Sequence, residues 1–250
     1  MPVKTITVEV QNDHLELLAR TKPMTALAEL IWNALDAEST EVRVEFIENE
    51  LEGIEAIRIS DNGHGLHYDD AFVAFGNLGG SWKQEGYRTR ARKRVLHGKY
   101  GKGRFRAFSL GNRVAWQSVY AEGGKRYAFS IDGKAATLGE FVISPAREAP
   151  KAKPGMVVEI YDLPQTTSLL RGVKAVEEVT AIFALYMRQY PDVRLVYDTV
   201  PIDPANVEER YTDYELDEMV MQNGERVNAV LTVVEWTMPG KRGVFLCDAE

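Results

Sequence analysis

Thr25-Ala-Leu-Ala-Glu29-Leu-Ile-Trp-Asn33-Ala-Leu-Asp36-Ala37 is apolar almost all the way round a helix, and its few polar side chains share one face. At about 100° per residue, Thr25, Glu29, Asn33 and Asp36 fall within an arc of about 80°. An amphipathic surface helix is the plainer alternative, but Ala28, Leu30, Ile31, Trp32, Ala34 and Leu35 leave little polar surface for one. The pattern predicts a buried helix over 24–37 whose polar stripe faces a site, with Pro23 setting its start. Charged and amide groups buried without partners cost several kcal/mol, so the stripe calls for a metal ion, an ordered water or a ligand.

Working outward, 5–10 alternates as a short strand and 13–20 reads as a short helix. The segments 41–47 and 53–60 alternate as two half-buried strands joined by an acidic turn, a hairpin beside the site helix. A helix at 68–75 leads into a long glycine-rich and basic segment, 76–104, and then a helix at 104–110. Strands follow at 113–121, 125–131, 139–144 and 156–161, then a helix at 170–188 and a strand at 192–197. This succession predicts an α+β fold, a two-layer sandwich in which a mixed, mostly antiparallel sheet is backed by helices. After Pro201 and Pro204 the composition turns polar, as at a domain junction, and 228–247 is strand-rich but too short to build its own core.

Two glycine sets flank the basic segment. In Ser60-Asp61-Asn62-Gly63-His64-Gly65-Leu66 an aspartate ends a strand, and Gly63 and Gly65 would let backbone approach a flat ligand closely. Taken alone, Asp-x-Gly-x-Gly is equally a plain turn, because Asp and Gly tolerate unusual backbone angles. In Gly98-Lys99-Tyr100-Gly101-Lys102-Gly103 successive amides and a following helix start would form an anion cradle. Neither the Walker A spacing nor the dinucleotide Gly-x-Gly-x-x-Gly spacing occurs there. Between the two lie Gly79-Gly80-Ser81-Trp82-Lys83 and the cluster Arg88 to Arg94. That stretch reads as a solvated loop, as a basic import patch, or as a mobile lid attracting phosphates.

Composition narrows the function classes. At 250 residues, 45% hydrophobic and 27% charged, the chain has the make-up of an ordinary globular protein. No apolar run reaches the roughly 20 residues needed to span a bilayer, and the start alternates like a strand rather than a signal peptide. A cytoplasmic protein with no membrane partner is expected. Cys247 is the only cysteine, which excludes an internal disulfide and a thiolate zinc site. His14, His64, His67 and His97 make no metal-binding pair at helical spacing, and the net charge of −7 argues against nucleic acid binding over the whole surface.

The ordered set Glu29-x-x-x-Asn33-x-x-Asp36-Ala37, Asp61-x-Gly63-x-Gly65 and Gly98-x-x-Gly101-x-Gly103 resembles the GHKL ATPases, in the branch of heat-shock chaperones, MutL and MORC proteins. The resemblance covers about 20–165. It implies a Bergerat-type sandwich binding ATP and Mg2+ under a lid, here 76–104. Carried over, Glu29 resembles the catalytic base, Asn33 the magnesium ligand and Asp61 the acceptor for the adenine amino group, with Asp36 beside them. Gly63 and Gly65 would line the base pocket, and Gly98, Lys99, Tyr100, Gly101, Lys102 and Gly103 the phosphate turn, while Ser81 and Lys83 resemble a polar lid segment. The family often places Gly-Thr before its fourth motif strand; here the matching turn is Gly155-Met156, and methionine lacks that hydroxyl.

The resemblance also implies that 1–203 is the ATP-binding domain, with an N-terminal segment, 1–23, that joins two copies when ATP binds. Residues 204–250 resemble the beginning of an S5-like transducer domain, cut short here, in which Lys241 is a weak candidate for reaching the γ-phosphate. The leading expectation is an ATPase acting as a nucleotide-gated switch on a separate effector, a protein client or DNA. The alternatives are a histidine-kinase-like phosphotransfer module and an ATP sensor or DNA-associated scaffold that does not turn over.

Overall fold

A computed structural model describes residues 20–50, 53–76, 89, 91, 92, 94, 96, 97, 103–220, 224, 226–228 and 230–236. The strand and helix expected at 5–10 and 13–20 lie outside these residues. The helix that decides the fold, α1, runs Pro23–Asp36 with proline in its first turn. Beyond it the chain turns through Glu38 in the left-handed region, φ 63°.

The hairpin is β1 (Glu41–Glu48) and β2 (Ile54–Asp61), antiparallel in the register Val44↔Ile59. Strict alternation does the sorting in β1: Val42, Val44 and Phe46 are buried while Arg43 and Glu45 are exposed. Then come α2 (Tyr68–Gly76), the single turn α3 (Gly103–Arg106), and the long strands β3 (Arg113–Glu122) and β4 (Lys125–Lys134), paired along their whole length about the Gly123-Gly124 turn. Short β5 (Phe141–Ile143) and β6 (Arg147–Glu148) both pair with β4. β7 (Gly155–Tyr161) precedes α4 (Val173–Gln189), which leads to β8 (Arg194–Tyr197) and β9 (Val200–Pro201).

The sheet order is β5-β4-β3-β7-β2-β1-β8-β9, with β6 on β4. Only the β1–β8 pairing is parallel among those described; the rest are antiparallel. The expected mixed, mostly antiparallel sheet is therefore observed. β7 comes back to lie between the two hairpins, bonded to β2 on one side and β3 on the other.

One face of the sheet carries the helices. Leu27, Ile31 and Leu35 of α1 and Val179 and Phe183 of α4 share a core with Val44, Ile57, Val114, Ile131 and Ile160 of the strands. The opposite face is polar. There Glu159 accepts from Arg58 at 2.7 and 2.9 Å, from Tyr161 Oη at 2.9 Å and from Gln117 at 3.2 Å.

Two local readings are adjusted. The helix expected at 104–110 is one α turn, α3, followed by a 3-10 turn at Ala107–Ser109. The helix expected at 170–188 is observed as α4, Val173–Gln189; it starts only after Gly172, whose φ of 87° separates it from a 3-10 stretch at Gln165–Leu170. Past a 3-10 turn at Pro204–Asn206, β10 (Glu208–Glu215) pairs with β13 (Val230–Trp236), and β11 (Met219–Val220) with β12 (Arg226–Val227). These form two small sheets of their own. Arg188 of α4 is ion-paired with Glu208 and lies over the Tyr211 ring, 4.3 Å from its centre.

Candidate functional site

The polar stripe of α1 divides. Thr25 and Asn33 are exposed and Glu29 is half-buried, so three of the four open to one side of the helix. Asp36, expected to sit with the ligand-facing residues, is only 3% exposed. Its Oδ1 accepts from the backbone N–H of His97 at 3.0 Å, and His97 Nδ1 lies 3.7 Å away. The His97 ring is stacked on Trp32 at 3.7 Å and meets Tyr186 of α4 edge-on. The correction has a simple cause: the incoming amide of His97 needs an acceptor at the end of α1, and Asp36 supplies it.

The basic cluster is also corrected for the members described. Arg94, expected in a phosphate-attracting lid, is 1% exposed. Its guanidinium donates to the Ser39 carbonyl at 2.5 Å and to Asp192 at 2.8 Å, and lies 5.5 Å from the centre of the Tyr190 ring. Arg92 donates to the same Asp192 carboxylate at 2.6 Å, while Glu38 accepts the amides of Ala91 and Arg92 at 2.7 and 2.9 Å. These arginines anchor the segment to the ends of α1 and α4. Alternation and charge could not show this, because the acidic partner stands about a hundred residues downstream.

Asp61 ends β2 and turns its carboxylate toward two amides. Oδ1 accepts from Gly63 N–H at 2.8 Å and from Met156 N–H at 3.4 Å, and Oδ2 accepts from no described residue. Burial pushes the Asp61 carboxyl up to about 7, and the amides of Gly63 and Met156 pull the other way. The turn expected to match the family's fourth motif, Gly155-Met156, thus lies against Asp61, and a backbone amide meets the carboxylate there. The loop beyond Asp61 is stitched to the end of α1. His64 N–H donates to the Ala37 carbonyl at 3.0 Å, and Asn62 Oδ1 accepts the amides of Thr40 and Glu41 at 2.8 and 2.9 Å.

Gly63 and Gly65, expected to line a base pocket, also pass close to the protein's own backbone. A Cβ on Gly63 would stand 2.5 Å from the Ala37 carbonyl. On Gly65, whose φ is 71°, it would stand 2.1 Å from the Val119 carbonyl. Gly155, φ 147°, passes as tightly over the Asp61 carbonyl, 2.1 Å from where a Cβ would be. The loop is pinned further by Ser118 of β3, which accepts from Leu66 N–H at 2.8 Å and donates to its carbonyl at 2.9 Å.

Glu29 has a partner that sequence reasoning missed. Arg106 Nη1, from α3, donates to Glu29 Oε1. The signal was present, a basic residue one turn past Gly103, but nothing in the sequence pairs it with α1. The helix start expected behind the phosphate turn is the single α turn of α3. Ser81, Lys83, Gly98, Lys99, Tyr100, Gly101, Lys102 and Lys241 lie outside the described residues, as does most of 76–104; of Gly103 the described part is the backbone at the start of α3.

Among the described residues no group of three or more His, Cys, Asp or Glu is placed to hold a metal. The donor chemistry of Asn33 suits magnesium, which takes few protein ligands beside phosphate and water oxygens. No helix among the described residues is long and apolar enough to cross a membrane.

The family model described as histidine kinase-, DNA gyrase B-, and HSP90-like ATPase matches residues 21–152. The DNA mismatch repair protein MutL of Thermosipho melanesiensis is 27% identical over 144 residues, 56% of this chain and 23% of that protein. MutL of Acidobacterium capsulatum is 46% identical over 54 residues, 22% of this chain and 8% of that protein. A crystal structure of the N-terminal domain of a DNA repair protein superposes with a TM-score of 0.47 at 15% identity, covering 87% of this chain and 54% of that one. The chain spans less than a quarter of the length of these curated relatives. With more than half of its residues matched by the family model, the chain belongs to the histidine kinase-, DNA gyrase B- and HSP90-like ATPase family.

Proposed function

We propose that the chain binds Mg-ATP beside the open stripe of α1 and hydrolyses it. The observation that carries this reading is the stitching of the Asp61 loop to the end of α1, through His64 N–H and the Ala37 carbonyl, which supports one site for the two motifs. Asp61 has Oδ1 committed to protein amides and Oδ2 open, the arrangement needed to accept one hydrogen bond from an adenine amino group. Met156 contributes its N–H where relatives often have a threonine hydroxyl. Glu29 has Oε1 on Arg106 and Oε2 open, so it can take a proton from a water in line with the γ-phosphate. Asn33, one turn on, would hold magnesium, which when bound neutralises charge developing on the phosphoryl oxygens.

The finer parts of the proposal rest on the family. The part of 76–104 that precedes the anchored Arg92 and Arg94 is the lid, with Ser81 and Lys83 on the nucleotide, and 98–103 surrounds the phosphates. ATP joins two copies through 1–23, and 204–250 begins the S5-like transducer. The curated relatives are DNA mismatch repair proteins, which favours an effector role beside DNA in the cytoplasm over a chaperone role.

Calorimetry with ATP and GTP, together with phosphate release, tests the core of this. ATP should bind in preference to GTP, which presents a carbonyl to Asp61, and Asp61→Asn should weaken ATP by about tenfold or more. Equal affinity for the two nucleotides would overturn the assignment. Light scattering with and without a non-hydrolysable analogue, on the longest natural form of the protein, tests dimerisation.

A further inference from the structure

Glu29 and Arg106 come from elements 77 residues apart, and each keeps 29% of its side-chain surface exposed. An ion pair of that exposure contributes little to stability. What it does is orient. A glutamate has three rotatable bonds, and on an open helix face its carboxylate samples many rotamers. Here Arg106 fixes one oxygen, Oε1, and no described residue occupies the other.

The backbone that delivers the guanidinium is itself held. Phe105, Ala107, Phe108 and Leu110 are buried in the same core as Leu27 and Ile31 of α1. Ser109 Oγ donates to the Arg106 carbonyl at 2.8 Å, and Leu110 N–H to the Ala107 carbonyl at 3.0 Å. A general base works only within about 2.6–3.2 Å of its water, and displacement by about 1 Å can cost roughly a hundredfold.

We infer that Arg106 is the positioning residue for Glu29: it holds Oε1 so that Oε2 is aimed off α1 at the attacking water. This rests on the reading of Glu29 as the base. Acting through the carboxylate and not on the nucleotide, Arg106 would on removal separate turnover from binding.

The test compares the full chain with R106A, R106K, E29A and the double variant E29A/R106A. R106A should lose about ten- to a hundredfold in turnover while binding a non-hydrolysable ATP analogue as tightly as the parent. R106K, which keeps the charge but not the planar fork, should recover part of the rate. In the E29A background R106A should make no further difference. If R106A does not fold, R106Q carries the same expectations. Weakening of analogue binding by about tenfold with unchanged turnover would make Arg106 a phosphate ligand and overturn the inference, as would additive effects on turnover. Turnover that depends on Glu29 but not on Arg106 removes this inference alone; turnover indifferent to Glu29, or absent, removes the reading of the base with it.

Discussion

Arg94 and Asp192, 98 residues apart in sequence, meet at 2.8 Å, and the same guanidinium donates to the Ser39 carbonyl at 2.5 Å. This one buried cation joins the segment that follows the glycine-rich stretch to the ends of α1 and α4.

Arg94→Ala should therefore destabilise the protein by about 2–4 kcal/mol, because it opens a cavity and leaves the Ser39 carbonyl without its donor. Arg92, which is 46% exposed on the same carboxylate, should cost less than about 1 kcal/mol when truncated. Urea unfolding of the two variants measures the difference, and equal effects would show that Arg94 is not the anchor.

Asp61 should couple nucleotide binding to pH. Its folded pKa, about 7, is raised above the ordinary carboxylate value, so its contribution to stability is full below about pH 4 and is lost as pH rises through about 7. Asp61→Asn keeps the Oδ1 acceptor for Gly63 and Met156 but removes the charge. At pH 8 the variant should be more stable than the parent by about 1–2 kcal/mol, while binding ATP more weakly. In the parent, ATP affinity should fall as pH is lowered from 8 to 6, since the protonated carboxyl has lost acceptor capacity. Calorimetry across that range checks the sign.

Glu29→Ala should retain ATP binding and lose about 10²–10⁴ in turnover. Phosphate release within a few-fold of the parent would exclude Glu29 as the base.

Gly65→Ala should cost several kcal/mol of stability, since a Cβ would stand 2.1 Å from the Val119 carbonyl in a left-handed backbone. Ser118→Ala, which frees both backbone groups of Leu66, should cost about 1–3 kcal/mol. Chemical denaturation gives both values. Weakened ATP binding in either variant then reports a displaced loop rather than a lost ligand contact.

Much was legible without coordinates. The apolar girth of 25–37 announced a buried helix, and the alternation of 41–47 and 53–60 announced a hairpin, because burial sorts side chains with the period of the local backbone. The same periods fixed a sheet backed by helices. What they could not carry was partnership at a distance. That β7 lies between β2 and β3, that Asp36 serves His97, that Arg94 turns inward to Asp192, and that Arg106 reaches Glu29 each depend on elements brought together by the shared core. A charged side chain in a linear sequence reads as solvent-facing by default; whether it is buried, and against what, is decided only when the packed helices and strands leave its desolvated head one neighbour that can satisfy it.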